Sequence, residues 1–263
     1  MASTTIRLAT GDGFAVDDLR VVERARSWTR PEAGAGYRLV FVRRGLFGLR
    51  VPGWSGLVDP LVAYLRRPED EQRIAHRPGA EDTCTVLTLD GELAAELGAD
   101  RMPRGPLRTD PPIDLAQRAV LAGARRGDDG FGLAERVVWL VRQVSRLDER
   151  EAGGGKPSHR RLAESAREAL ATDPAWPSFT ALAGELGVSR AHLSRVFRAE
   201  VGESLTRYRA RLRVRAVLDR IEDGETNLAR LAAELGFADH AHLTRTVRAE
   251  LGRPPARLRA LLG

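Results

Sequence analysis

Three patterns of apolar positions succeed one another along the chain. Over residues 1–110, short runs rich in Val, Leu, Thr and aromatics (Leu19–Trp28, Tyr37–Val42, Leu46–Val51, Leu61–Leu65 and Thr83–Leu89) are separated by Gly, Pro and Asp turns. This is the pattern of an all-β sandwich or barrel, whose interior is either packed solid or holds one small molecule. From Ile113 to Arg125 the period becomes helical, and Gly127-Asp128-Asp129-Gly130 breaks it. In the next helix Leu133, Val137, Leu140, Val144 and Leu147 recur at spacings of four and three. Such a heptad-like seam either packs a helix onto its own domain or pairs two copies of the chain as a homodimer. A run of glycines with a proline and a serine then interrupts the helical pattern. Residues 151–158 read as a flexible linker between a domain of residues 1–150 and one of residues 159–263.

The third pattern repeats. Leu182-Ala-Gly-Glu-Leu-Gly-Val188 recurs as Leu231-Ala-Ala-Glu-Leu-Gly-Phe237, and His192-Leu-Ser-Arg-Val-Phe-Arg-Ala-Glu-Val-Gly202 recurs as His242-Leu-Thr-Arg-Thr-Val-Arg-Ala-Glu-Leu-Gly252. Each copy has the grammar of a helix-turn-helix. A short helix with Leu182 and Leu186 ends at Gly187, Val188 plugs the core, and Ser189 caps the next helix. On that helix Leu193, Val196 and Phe197 face inward, which leaves Arg190, His192, Ser194, Arg195 and Arg198 outside. In the second copy Gly236 and Phe237 supply turn and plug, and Leu243 and Val247 face inward. Asp239, His240, His242, Thr244, Arg245 and Arg248 then face outward. Together with Ser189, these outward groups suit base edges and phosphates.

Between the copies, Ser204–Ile221 has no Gly or Pro and carries Leu205, Tyr208, Leu212, Ala216 and Val217 on one face. As a helix it would rise about 27 Å, against the roughly 34 Å pitch of DNA. One rigid helix could thus hold two recognition helices in successive major grooves. Arg207, Arg209, Arg211, Arg213 and Arg215 alternate along it, which spreads them around the helix and reads, for most of them, as a solvated face.

Composition narrows the classes. With 43% hydrophobic and 30% charged residues the chain is not wholly disordered. Its net charge of +6 is concentrated after the linker, where 18 Arg face 13 Asp and Glu from His159 onward and only +1 remains for residues 1–158. Lys156 is the single lysine. Arginine's planar fork suits phosphates and guanine edges, although a GC-rich genome produces the same preference, so the motifs must decide. The single cysteine, Cys84, excludes an intramolecular disulfide, a multi-cysteine zinc site and a CxxC redox pair. The N-terminus has no apolar signal region and no stretch approaches a membrane span, so a cytoplasmic protein is expected.

Residues from about 159 to 263 resemble the double helix-turn-helix domain of AraC-type (AraC/XylS) bacterial transcription regulators. The resemblance is carried by the paired ELGVS and ELGFAD turns, the Arg-rich connecting helix with Tyr208 and Arg213, and Gly252-Arg-Pro-Pro255 before a last helix. It implies a seven-helix domain with one recognition helix per copy, double-stranded DNA as partner, and activation by contact with RNA polymerase. In residues 1–150, YRLVFVRRGLFG and LVDPLVAYLRRPEDEQRIAHRPGAEDTCTVL resemble the cupin-type sensory barrel of the same family. The implied fold class is α+β: an N-terminal cupin-like β-barrel with a trailing helix pair, then an all-α double helix-turn-helix domain.

Chemistry in the N-terminal half is sparse. Catalytic cupins hold a metal with two or three histidines and a carboxylate, whereas residues 1–158 contain only His76. No metal or other cofactor is expected, and no GxGxxG, Walker A, GxSxG or HExxH motif occurs. Cys84, between Thr83 and Thr85, reads as an inert structural thiol. Trp28, Tyr37, Trp54, Tyr64 and His76 either line an effector pocket or pack the core. Two functions stay open: a regulator whose barrel binds a small-molecule effector, and an enzyme or partner-binding module tethered to DNA.

Overall fold

The computed structural model describes residues 2–23, 27–32, 34, 36–128, 130–147 and 156–262. The chain divides into two units, Met1–Glu149 and Arg150–Gly263. Most of the linker expected at residues 151–158 lies outside the described residues.

Among its described residues the first unit has nine strands: β1 (Ala2–Gly11), β2 (Phe14–Val22), β3 (Tyr37–Arg44), β4 (Phe47–Val51), β5 (Trp54–Val58), β6 (Val62–Arg66), β7 (Arg73–His76), β8 (Glu81–Leu89) and β9 (Pro106–Arg108). They build two antiparallel sheets, ordered β1-β2-β8-β3-β6-β9 and β5-β4-β7. The all-β expectation is thus met as a pair of facing sheets. Three α-helices among the described residues, α1 (Gly91–Glu96), α2 (Pro111–Arg126) and α3 (Gly130–Ser145), and a short 3-10 turn at Ala99–Arg101 accompany the sheets. Asp110 caps α2, accepting a hydrogen bond from the Ile113 N–H, and Gly127 closes it in the left-handed conformation at φ 70°.

The large sheet is covered on both faces, which is why its strands read as nearly continuous apolar runs. On one face Val40, Val42, Tyr64, Cys84 and Val86 pack with Phe47, Leu49 and Val58 of the small sheet. On the other, Phe14, Val16, Leu39, Phe41, Leu87 and Leu89 pack with residues of the helices. Leu133, Val137, Leu140 and Val144 belong to this second core, with Leu147 packed at its margin. The seam of α3 is therefore the unit's own core. What α3 turns outward is Phe131, 76% exposed, and Trp139, 47% exposed.

A buried charge cluster ties helix to sheet. Arg43, at a register shift in β3, bonds Asp18 of β2, whose carboxylate also accepts from Arg125 Nη2 of α2 at 2.8 Å. Burial alone would raise the Asp18 pKa, but Arg43 and Arg125 outweigh it and hold the carboxyl below its usual value. A carboxylate depressed on folding contributes stability above its unfolded pKa of about 4 and loses it as pH falls through the folded value. Asp18→Asn is expected to cost the first unit about 3 kcal/mol at neutral pH. Denaturant melts should show that gap closing towards about pH 3; a gap that persists in acid would assign the loss to packing instead.

The second unit contains seven helices among its described residues: α4 (Pro157–Thr172), α5 (Phe179–Glu185), α6 (Arg190–Val201), α7 (Leu205–Glu222), α8 (Leu228–Glu234), α9 (His240–Leu251) and α10 (Pro255–Leu262). Leu182, Leu193, Phe197, Tyr208, Leu212, Val217, Leu231, Leu243, Val247 and Leu258 are buried, and the Phe197 and Tyr208 rings meet edge-on at 5.2 Å. No helix among the described residues is long and apolar enough to cross a membrane.

Candidate nucleic-acid interface

Each turn is fixed by one glycine and one cap. Gly187 takes φ 69° after α5, and the Val188 N–H reaches back to the Ala183 carbonyl at 2.9 Å. Gly236 takes φ 71° after α8, and the Phe237 N–H donates to the Ala232 carbonyl at 2.9 Å. These closures satisfy helix-end carbonyls and need a conformation that glycine adopts without a Cβ penalty. Ser189 then caps α6 by accepting from the His192 N–H at 3.2 Å, and Asp239 caps α9 by accepting from the His242 N–H at 2.6 Å. Two of the sequence-selected residues thus spend a side-chain oxygen on starting their own recognition helices.

The other selected residues divide by exposure. Arg190, Ser194, Arg195 and Arg198 are exposed on α6, as are His240, Arg245 and Arg248 on α9, with Thr244 half-buried. Thr244 Oγ1 lies 3.3 Å from His240 Nε2. The two remaining histidines are half-buried and engaged. His192 packs edge-on against His159 of α4 at 5.7 Å. His242 accepts from the Ala238 N–H through Nδ1 at 3.2 Å and packs its ring on Phe237.

The connecting helix departs from the solvated face expected of its arginines. Only Arg207 is exposed, Arg209 is half-buried, and Arg211, Arg213 and Arg215 are buried. Arg209 donates to the Trp176 carbonyl at 3.2 Å and stacks 4.1 Å above the Phe179 ring. Arg213 donates to the Pro174 carbonyl at 2.7 Å and lies 5.7 Å from the Phe237 ring. Burial first, and then the charge of Arg209, lowers the Arg213 pKa to about 10, which leaves it protonated at neutral pH. Arg209 therefore holds the segment before α5 and the Phe179 ring to α7, while Arg213 bonds a carbonyl of that same segment and reaches the second turn through its cation–π contact with Phe237. The alternation along the helix gave no hint of this.

In the first unit the five aromatic and histidine candidates do not converge. Tyr64, Trp54 and His76 face the space between the sheets around Phe47, whose ring lies 6.3 Å from Tyr64 and 5.2 Å from His76. His76 Nδ1 is hydrogen-bonded to Asp82 Oδ2 at 2.5 Å, which bridges the small sheet to the large one. Tyr37 packs on the helix-covered face of the large sheet. Trp28 lies against Gly48 with Arg50 stacked 4.1 Å above its ring, on the outer side of the small sheet. Cys84 is buried, and burial pushes its thiol up to about 12, so the thiolate is scarce.

Comparison with known proteins places the second unit. Residues 182–260 match the family model described as a helix-turn-helix domain. No curated protein matches the chain. Among solved structures, ToxT from Vibrio cholerae O395 is 12% identical across 96% of this chain and 100% of that one, with a TM-score of 0.38. A transcriptional regulator from Chromobacterium violaceum with an AraC-type DNA-binding domain is 21% identical across 41% of this chain and 97% of that one, with a TM-score of 0.37. A cupin superfamily protein from Desulfitobacterium hafniense is 13% identical across 34% of this chain and 78% of that one, with a TM-score of 0.29. Both turns, α6, α9 and the helix that joins them fall within the residues matched by the helix-turn-helix model, and the C-terminal unit of this chain is built from two helix-turn-helix copies.

Proposed function

We propose that the chain is a sequence-specific regulator of transcription in which α6 and α9 read two half-sites in duplex DNA and the N-terminal unit senses a small-molecule effector. The observation that carries the DNA reading is how the arginines of the second unit are partnered. On the scaffold, Arg211 pairs with Glu203, Arg220 with Glu225 and Glu234, and Arg230 with the same two carboxylates. Arg190, Arg195, Arg198, Arg245 and Arg248 form no ion pair among the described residues, and all five stand exposed on the recognition helices. Unpaired guanidiniums on two parallel-acting helices are the groups that phosphates and guanine edges recruit.

Resemblance to the family supports activation through RNA polymerase and a non-catalytic role for the first unit. The effector acts by binding one of two states of the chain more tightly than the other. Selection of bound sequences from random duplexes by the full-length protein tests the reading. A bipartite motif with halves about one helical turn apart is expected. Affinity should fall with salt at a log–log slope near −5 for about six phosphate contacts. A motif with a single half, or binding indifferent to salt, would overturn it.

A further inference from the structure

Most of the inner face of the large sheet is apolar, but its last row is not. The register sets β8, β3 and β6 side by side, so that Val86, Val40 and Tyr64 form one inward row and Thr88, Arg38 and Arg66 form the next. Arg38 and Arg66 are direct cross-strand partners, the arrangement in which like charges repel most. Arg66 is 6% exposed. Its Nη2 donates to the Glu32 carbonyl at 2.9 Å, and the Gly34 backbone closes over the guanidinium, where a Cβ would lie 3.0 Å from Nε.

Arg66 Nε itself is buried with no acceptor among the described residues. Neither arginine forms an ion pair with a carboxylate among the described residues. Burial and the charge of Arg38 together draw the Arg66 guanidinium below its usual pKa, against a smaller opposing pull from Glu32. Tyr64, in the adjacent row, is held protonated by burial and feels both guanidinium charges. Two facing cations, an unused buried N–H and a neighbouring phenol cost the folded chain stability, and no carboxylate among the described residues pairs with either guanidinium to compensate them.

We propose that Arg38, Arg66 and Tyr64 form the anion subsite of the effector site, which takes the carboxylate or phosphate group of a small molecule. The proposal rests on the sensing reading given above. Arg66 is the buried wall, and Arg38, half-exposed, is the side by which the anion enters. A planar carboxylate bridging two guanidiniums uses both forks and removes their repulsion.

Thermal melts of the full-length protein and of its Arg38→Gln variant test this, with sodium benzoate, sodium decanoate and inorganic phosphate as probes. Benzamide, decanamide and sodium chloride at matched ionic strength are the controls. At least one anion should raise the wild-type Tm where its control does not, and Arg38→Gln should weaken that apparent affinity about 10- to 100-fold. Which anions act separates a carboxylate site from a phosphate site. Without ligand, Arg38→Gln should melt at or above the wild type because the repulsion is relieved; a purely structural arginine would lower it. The subsite is overturned if no anion outperforms its control or if the shift survives Arg38→Gln. An Arg38-dependent shift with no change in DNA affinity would uphold the subsite and remove the sensing reading. An effect of a neutral molecule on DNA affinity that Arg38→Gln leaves intact would do the reverse.

Discussion

Leu140→Glu is expected to unfold the N-terminal unit rather than to separate two copies of the chain. Leu140 is fully buried on α3 between Val137 and Val144, within the core that joins the helices to the large sheet. A carboxylate there has neither solvent nor a partner, and burying an unpaired charge belongs to the class of substitutions that cost about 4–5 kcal/mol or more. That is comparable to the whole stability of a small domain. Circular dichroism should show the β signal lost while the helices of the second unit persist. Trp139→Glu, one residue away on the exposed side, should leave the melt unchanged. A Leu140→Glu variant with a normal melt and a lower sedimenting mass would restore the seam as a contact between copies. Should the chain dimerise through α3, Phe131 and Trp139 are the side chains that α3 presents for it.

The second large effect is expected at the recognition helices. Arg195→Ala and Arg245→Ala should each cost about 1–3 kcal/mol, and each should relax base preference in a different half of the operator. The two arginines stand on separate helices in contrasting surroundings. Arg195 is flanked by Ser194 and Arg198, and Arg245 by Thr244 and Arg248. The double variant should approach non-specific affinity. Binding of both single variants to operators altered in one half at a time checks this, and equal loss at both halves for either variant would contradict separate reading. Neither arginine is buried, so both variants should melt like the wild type.

The helix-turn-helix units were legible because their determinants are local. A glycine that must adopt positive φ, a capping Ser or Asp two or three residues later, and apolar residues at helical spacing are all visible within twenty residues, and Gly187, Ser189, Gly236 and Asp239 do what that grammar requires. The arginines of α7 were misread because periodicity assumes one buried face. Both helix-turn-helix units pack around this helix, so most of its circumference is enclosed. Arg209 and Arg213 bury their stems and send their heads to backbone carbonyls.

Strand β1 was missed although Asp12-Gly13, a strong hairpin signal, joins it to β2. Its residues are largely exposed on a sheet edge and carry little alternation. Pro52-Gly53 likewise marks the β4–β5 hairpin. Of the effector candidates, aromatic character alone could not tell which sheet face a residue occupies. That depends on register, which put Tyr64 inside the sandwich and Tyr37 beneath the helices.

Because every cation projecting from α6 and α9 is a guanidinium, amine chemistry passes them by. Acetyl transfer, carbamylation and amine-reactive dyes meet only the side chain of Lys156, exposed beside the start of α4. Dicarbonyl reagents instead meet the exposed arginines and spare the buried ones of α7. Lysine acylation thus cannot neutralise any cation of α6 or α9. The same chemistry lets the molecule be anchored to a surface through Lys156 with its recognition helices free.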